Sequence, residues 1–167
     1  MTHPRLIRAG AVVGLALAPL AAAHAGQPPL LHSLFQDHAV LQRDQPLRVW
    51  GQVGPGEKVQ VEIAGKRTSV RAGADGQWQA TLPAMKAGGP YTLNVQAGQA
   101  RQAVSDVLVG DVWLCSGQSN MELQVWRSLD ARAEIAGAGN DRIRLLTVPQ
   151  VAQVRPQREF GQAVADL

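Results

Sequence analysis

The feature that most restricts how this chain can fold is a run of short alternating segments separated by glycine and proline. Lys58-Val59-Gln60-Val61-Glu62-Ile63 places its apolar residues on one face, and Tyr91-Thr92-Leu93-Asn94-Val95 repeats the same period of two. That period is the signature of a half-buried strand, because successive side chains of extended backbone point to opposite faces. Further segments of the kind are Leu34 to Gln42, Leu47 to Val53, Thr68 to Ala72 and Gln77 to Leu82. Turn signals stand between them at Gly54-Pro55-Gly56, Ala64-Gly65-Lys66, Ala74-Asp75-Gly76 and Gly88-Gly89-Pro90. Even spacing with corners of this composition predicts an antiparallel β-sandwich, with Gln99 to Ser105 as a further strand or crossover. Trp50 and Trp78 lie inside strands among apolar neighbours, so they read as core residues rather than as exposed platforms for stacking on sugar rings.

The first 25 residues stand apart from this pattern. His3, Arg5 and Arg8 make a basic start, Ala9 to Leu20 is apolar apart from Pro19, and Ala23-His24-Ala25 fits a small-x-small cleavage site. Residues 1–25 are therefore expected to be a secretory signal peptide, and the run is too short for the alternative of a spanning helix. Without Arg5 and Arg8 the chain keeps 14 Lys and Arg against 13 Asp and Glu. A charge so near neutral, with the basic residues scattered singly, offers no nucleic-acid surface despite a sequence pI near 9.6. Cys115 is the one cysteine, so no disulfide forms within the chain, and its place at the end of an apolar run reads as a buried small hydrophobe.

The character changes near Asp106. Val107 to Cys115 is apolar on both faces, as in a strand of a parallel sheet covered on both sides. Met121 to Ala138 has a loosely helical spacing interrupted near Ser128, with Asp130 as a candidate N-cap and Gly137 to Asn140 as its end. Arg142 to Val148 reads as the next strand, closed by Pro149, which makes one strand-helix-strand unit. Gln150 to Leu167 carries no pattern that completes a sheet. The division expected is 1–25 leader, 26–106 β-sandwich, and 107–167 the incomplete beginning of an α/β domain.

At the turn of that unit stands Ser116-Gly117-Gln118-Ser119-Asn120-Met121. A serine between a strand and a helix start has its hydroxyl lifted from the sheet and unpaired N–H groups beside it, which favours acyl transfer. A serine nucleophile also needs a base, and usually a carboxylate to orient that base. Beyond residue 25 the histidines are His32 and His38, both far upstream and expected at the surface or a strand edge, and no histidine follows Ser119. A Gly-x-Ser turn alone is a weak signal.

Ser116 to Glu122, preceded by Val109-Gly110-Asp111-Val112-Trp113, resembles the nucleophile block of the sialate O-acetylesterase family, carbohydrate esterases of the SGNH hydrolase superfamily. Phe35 to Gln42, Val49-Trp50-Gly51 and Gly76-Gln77-Trp78 resemble the start of the same family, so the likeness runs from about Leu30 to Pro149. It implies an SGNH-type, flavodoxin-like α/β hydrolase domain after the sandwich. It also implies Ser119 as nucleophile with its own N–H in the oxyanion hole, Gln118 and Asn120 as substrate-binding neighbours, and no metal or organic cofactor. The implied substrate is an O-acetylated sugar, met outside the cytoplasm and away from the membrane once the leader is cut. The remaining oxyanion donors and the Asp-x-x-His block that supplies base and orienter are expected downstream of the residues present here. The chain then reads as the N-terminal portion of a longer esterase, inactive by itself. A non-catalytic β-sandwich that binds glycans or a partner, and an acetylxylan esterase of the same superfamily, stay open beside it.

Overall fold

A computed structural model describes residues 29–150 and 154–155, and the backbone of 164–166. The leader and most of the stretch after Gln150 lie outside the described residues. The elements are β1 (Val40–Gln42), β2 (Leu47–Gln52), β3 (Lys58–Ile63), β4 (Lys66–Arg71), β5 (Gln77–Leu82), β6 (Gly88–Ala97), β7 (Ala100–Gly110), one α-helix α1 (Ala131–Gly137), and β8 (Leu145–Thr147) paired with β9 (Val164–Asp166). Single 3₁₀ turns occupy Ser119–Met121 and Val125–Arg127.

The period-two segments become strands with nearly the limits expected. β3 and β5 match residue for residue, and their burial alternates as the pattern requires. Five strands form one sheet in the order β1-β7-β6-β3-β4, while β2 and β5 pair antiparallel in a second. Inward residues of both sheets fall in a single hydrophobic cluster that includes Val49, Leu82, Val59, Val61, Ile63, Leu93, Val95 and Val107. Each such side chain contributes about 1.5–3 kcal/mol by leaving water. Trp78 is buried in that cluster, as expected, and Trp50 packs against it with the Phe35 ring edge-on at 4.7 Å between centroids.

Six features differ from the sequence reading. The larger sheet is mixed, because β1 runs parallel to β7 with Val40 opposite Leu108. Of Leu34 to Gln42 only β1 is strand; the earlier residues turn sharply so that Phe35 reaches the core. Gly88-Gly89-Pro90 is the opening of β6 rather than a turn. The strand expected over Val107 to Cys115 is the second half of β7, which ends at Gly110, and Val112 to Cys115 is exposed. Its apolar character on both faces matches a strand covered on both sides, and here the cover on Val112 to Cys115 is lacking. Likewise β8 is fully exposed and pairs antiparallel with β9 instead of returning parallel to β7, so part of the 150–167 stretch does complete a sheet. Asp130 sits at the N-cap of α1, yet its backbone is left-handed and its carboxylate accepts no capping hydrogen bond.

The segment from Leu30 to Phe35 ties the two sheets together. Leu31 bridges Gly51 of β2, the Trp78 indole of β5 donates to the Leu30 carbonyl at 3.2 Å, and Gln102 of β7 accepts the Leu30 N–H at 2.8 Å. The approach is close enough to require glycine at 51, since a Cβ there would lie 1.9 Å from the Leu30 carbonyl oxygen. His32 belongs to this strap and is buried, with its Nδ1 accepting the Leu34 N–H at 3.1 Å, which corrects its expected surface position.

Because Ile63 has no exposed surface, Ile63→Ala is expected to lower unfolding free energy by about 2–5 kcal/mol, while Ser69→Ala on the exposed face of β4 stays within about 0.5 kcal/mol. Urea unfolding followed by Trp78 fluorescence measures both.

Candidate active site

The segment that carries Ser119 leaves the larger sheet at the end of β7 and is held there by polar contacts from the turn after β1. Arg43 donates its backbone N–H to the Gly110 carbonyl at 2.8 Å and its Nε–H to Asp111 Oδ1 at 2.9 Å, and Gln42 Oε1 accepts the Val112 N–H at 2.9 Å. Asp44 extends the cluster, with Lys86 Nζ at 2.6 Å and Arg43 Nη1 at 3.0 Å. Hydrogen bonding from Lys86 holds the Asp44 carboxyl below its ordinary range, and bonding to Asp111 raises the Arg43 guanidinium.

Gln118 has extended backbone and opens the 3₁₀ turn. The Met121 N–H donates to the Gln118 carbonyl at 2.8 Å, and the Glu122 N–H to the Ser119 carbonyl at 3.2 Å. Gly117 packs under the Met121 side chain, where a Cβ would lie 2.5 Å from Met121 Cγ and would make that exposed side chain shift. The turn therefore presents Gln118, Ser119 and Asn120 together, all exposed. The strand-to-helix turn expected at Ser119 is not formed: β7 ends at Gly110, the α-helix begins only at Ala131, and Ser119 opens a single exposed 3₁₀ turn between them.

Among the described residues no histidine is hydrogen-bonded to Ser119. His38 is held elsewhere: its Nδ1 lies 2.6 Å from Asp106 Oδ2, which also receives Arg144 Nη2 at 2.8 Å. The arrangement was not legible in sequence, because His38 and Asp106 are 68 positions apart. Both have positive φ, 69° and 51°, and Asp106 stands where the pairing of β6 with β7 shifts register. An irregularity of this kind redirects a side chain out of the ladder. Beside it Asp37 Oδ1 accepts the Ser105 N–H at 2.7 Å, which keeps the Asp37 carboxyl below its usual range. His38, Asp106 and Arg144 thus fasten the far end of the serine-bearing segment to the sheet.

A cavity of about 1080 Å³ opens beside the Leu30–Phe35 strap and is lined by His32, Asp37, Gln52, Glu57 and Gln102. Gln118, Ser119 and Asn120 do not line it.

Relatives place these features in context. The human sialate O-acetylesterase is 35% identical over 176 aligned positions, which cover 96% of this chain and 33% of that protein. The orangutan (Pongo abelii) sialate O-acetylesterase is 36% identical over the same coverage. This chain is a homologue of the sialate O-acetylesterases. It spans about a third of their length. Among solved structures, a carbohydrate acetylesterase from Xanthomonas citri superposes with a TM-score of 0.79 at 44% identity, over 83% of this chain and 32% of that one. No family model matches the chain. At 96% of the chain, the sialate O-acetylesterase homology takes in the strap, the strands of the core and the Ser119 turn.

Two outcomes check the site as described. Cys115 is exposed rather than buried, so it is expected to label to completion with a small thiol reagent in the absence of denaturant, read by mass spectrometry. Asp37 is expected to titrate below an ordinary aspartate in a carboxyl-detected NMR experiment. Its lowered value makes it a stabilising group at neutral pH, whose contribution is complete above the unfolded-chain value and lost as pH falls through the folded one; Asp37→Ala removes that acid-side dependence.

Proposed function

We propose that this sialate O-acetylesterase homologue is the N-terminal portion of an exported carbohydrate esterase that removes O-acetyl groups from sugars through Ser119. In this reading residues 26–106 form a β-sandwich and 107–167 begin an SGNH-type hydrolase domain. The observation that carries the proposal is Ser119 on an exposed 3₁₀ turn inside a Ser-Gly-Gln-Ser-Asn-Met block, within the stretch matched at 35% identity. A serine so placed reaches an ester carbonyl without displacing core residues.

In the reaction the Ser119 hydroxyl adds to the acetyl carbon while a base takes its proton. The tetrahedral oxyanion forms beside the Ser119 N–H, and the sugar hydroxyl leaves with the proton as the acetyl-serine forms. Water then releases acetate and restores the serine. Gln118 and Asn120, on the same turn, contact the sugar and shape the oxyanion site. The base and its orienting carboxylate belong to the part of the relatives that this chain does not span, so residues 26–167 by themselves hold a nucleophile without a base. The His38–Asp106 pair is not that base, because its carboxylate is shared with Arg144 and anchors the segment instead.

Purified chain is expected to hydrolyse acetyl esters no faster than buffer. A fusion to the unmatched two thirds of the Xanthomonas citri acetylesterase is expected to be active and to lose about a thousandfold or more in kcat with Ser119→Ala. A fusion whose activity survives Ser119→Ala would refute the nucleophile assignment. Comparing O-acetylated sialic acid with acetylxylan as substrates separates the two sugar classes.

A further inference from the structure

We propose that the outer face of the five-stranded sheet carries a binding site for a sugar bearing one carboxylate, separate from the Ser119 turn and independent of its chemistry. A groove of about 490 Å³ runs there across β4, β3, β6 and β7. That is within the size of small-ligand pockets, about 300–1,000 Å³.

Strand register sets which side chains meet in the groove. Directly opposed residues of an antiparallel pair share a face, and Ser69, Gln60, Gln96 and Arg101 stand opposite one another in a single row across the four strands. Arg67, Glu62, Asn94 and Ala103 make the next row. The residues between them on β3 and β6, Val61 and Val95, point into the core, so both rows face outward. With strands about 4.8 Å apart and outward residues about 7 Å apart along each strand, the rows form a patch of roughly 14 Å by 7 Å. Such a patch has room for one or two sugar rings, and the short Ala103 side chain deepens it beside Arg101.

The side chains select the ligand. Each hydroxyl of a sugar both donates and accepts, and the amides of Gln60, Asn94 and Gln96 with the Glu62 carboxylate supply both kinds of partner. Two of these groups are set in advance: Gln96 Nε2 donates to the Gly98 carbonyl at 3.2 Å, and Arg67 holds Glu62 at 2.6 Å. At the β7 side the exposed Arg101 guanidinium has no ion pair among the described residues. A single uncommitted guanidinium suits a single carboxylate, which it can take through two parallel hydrogen bonds. Glu62 in the same groove opposes a polyanion such as nucleic acid, and neither row offers a large apolar side chain for a peptide to grip. Rows of charged and amide groups are also costly to bury without partners, so this face stays in water whatever further length of protein packs on the apolar 112–148 segment.

The test is an amide NMR titration of the full chain with the methyl glycoside of N-acetylneuraminic acid. Saturable shifts on β3, β6 and β7 with a Kd of about 1 mM are expected. Arg101→Ala is expected to weaken binding at least about tenfold, Asn94→Ala about threefold, and Arg101→Lys to retain an intermediate affinity. The methyl ester of the same sugar, which lacks the charge, is expected to bind at least about tenfold more weakly than the acid. The inference is overturned if no saturable shift appears well above that Kd, if the shifts centre on the Ser119 turn, if the methyl ester binds as well as the acid, or if acetate or inorganic phosphate binds as tightly as the sugar. Ser119→Ala is expected to leave the titration unchanged, which separates the two sites. An active fusion that binds no sugar at this face would overturn this inference alone, and an inactive fusion that binds it would count only against the Ser119 reading.

Discussion

Residues 29–110 hang from the apolar seam shared by the five-stranded sheet and the β2–β5 pair. A two-stranded sheet has one face to bury and no partner of its own, so β2 and β5 persist only because Val49, Ala80 and Leu82 meet Val59, Val61, Ile63, Leu93 and Val95 across the core. The Leu30–Phe35 strap makes that seam permanent by bonding to β2, β5 and β7 at once. Its passage over Gly51 is so close that the position admits no side chain. Stability in this chain is therefore concentrated in residues 29–110, where nearly all the buried apolar groups lie.

The serine-bearing segment is built on different physics. It buries almost nothing and is positioned by polar contacts at its two ends, Arg43 with Asp111 on departure and Arg144 with Asp106 on return. Ion pairs at or near the surface are weak individually, so these contacts, one exposed and one half-buried, fix direction more than they add stability. Direction sets where the Ser119 turn stands. β7 ends beside β1, the register shift at Asp106 turns its carboxylate toward His38 and Arg144, and the excursion between carries Ser119 clear of the sheet. The homology to sialate O-acetylesterases covers 96% of the chain and so takes in both the seam and this excursion, along which apolar side chains such as Trp113, Leu114 and Leu129 are exposed.

Charge plays a local part only. The near balance of acidic and basic residues leaves no dominant field, and the lowered carboxyls of Asp37 and Asp44 owe most to hydrogen bonds from Ser105 and from Lys86, with the nearby Arg43 adding to the latter. These acids staple the turn regions that feed β1 and β7, and their ionised state at neutral pH suits that role.

The sequence alone determined the period-two strands and the serine-bearing block. Period-two alternation is a property of neighbouring residues, so β3 and β5 could be read to the residue, and the Ser-Gly-Gln-Ser-Asn-Met block is equally local. Tertiary structure decided what depends on distant pairs. The parallel pairing of β1 with β7, the His38–Asp106–Arg144 cluster and the burial of His32 join residues that no local pattern connects. It also decided the fate of Val112 to Cys115, whose composition is that of a covered strand. A run of apolar residues states a preference for burial, but only the rest of a fold can supply the surface that buries it.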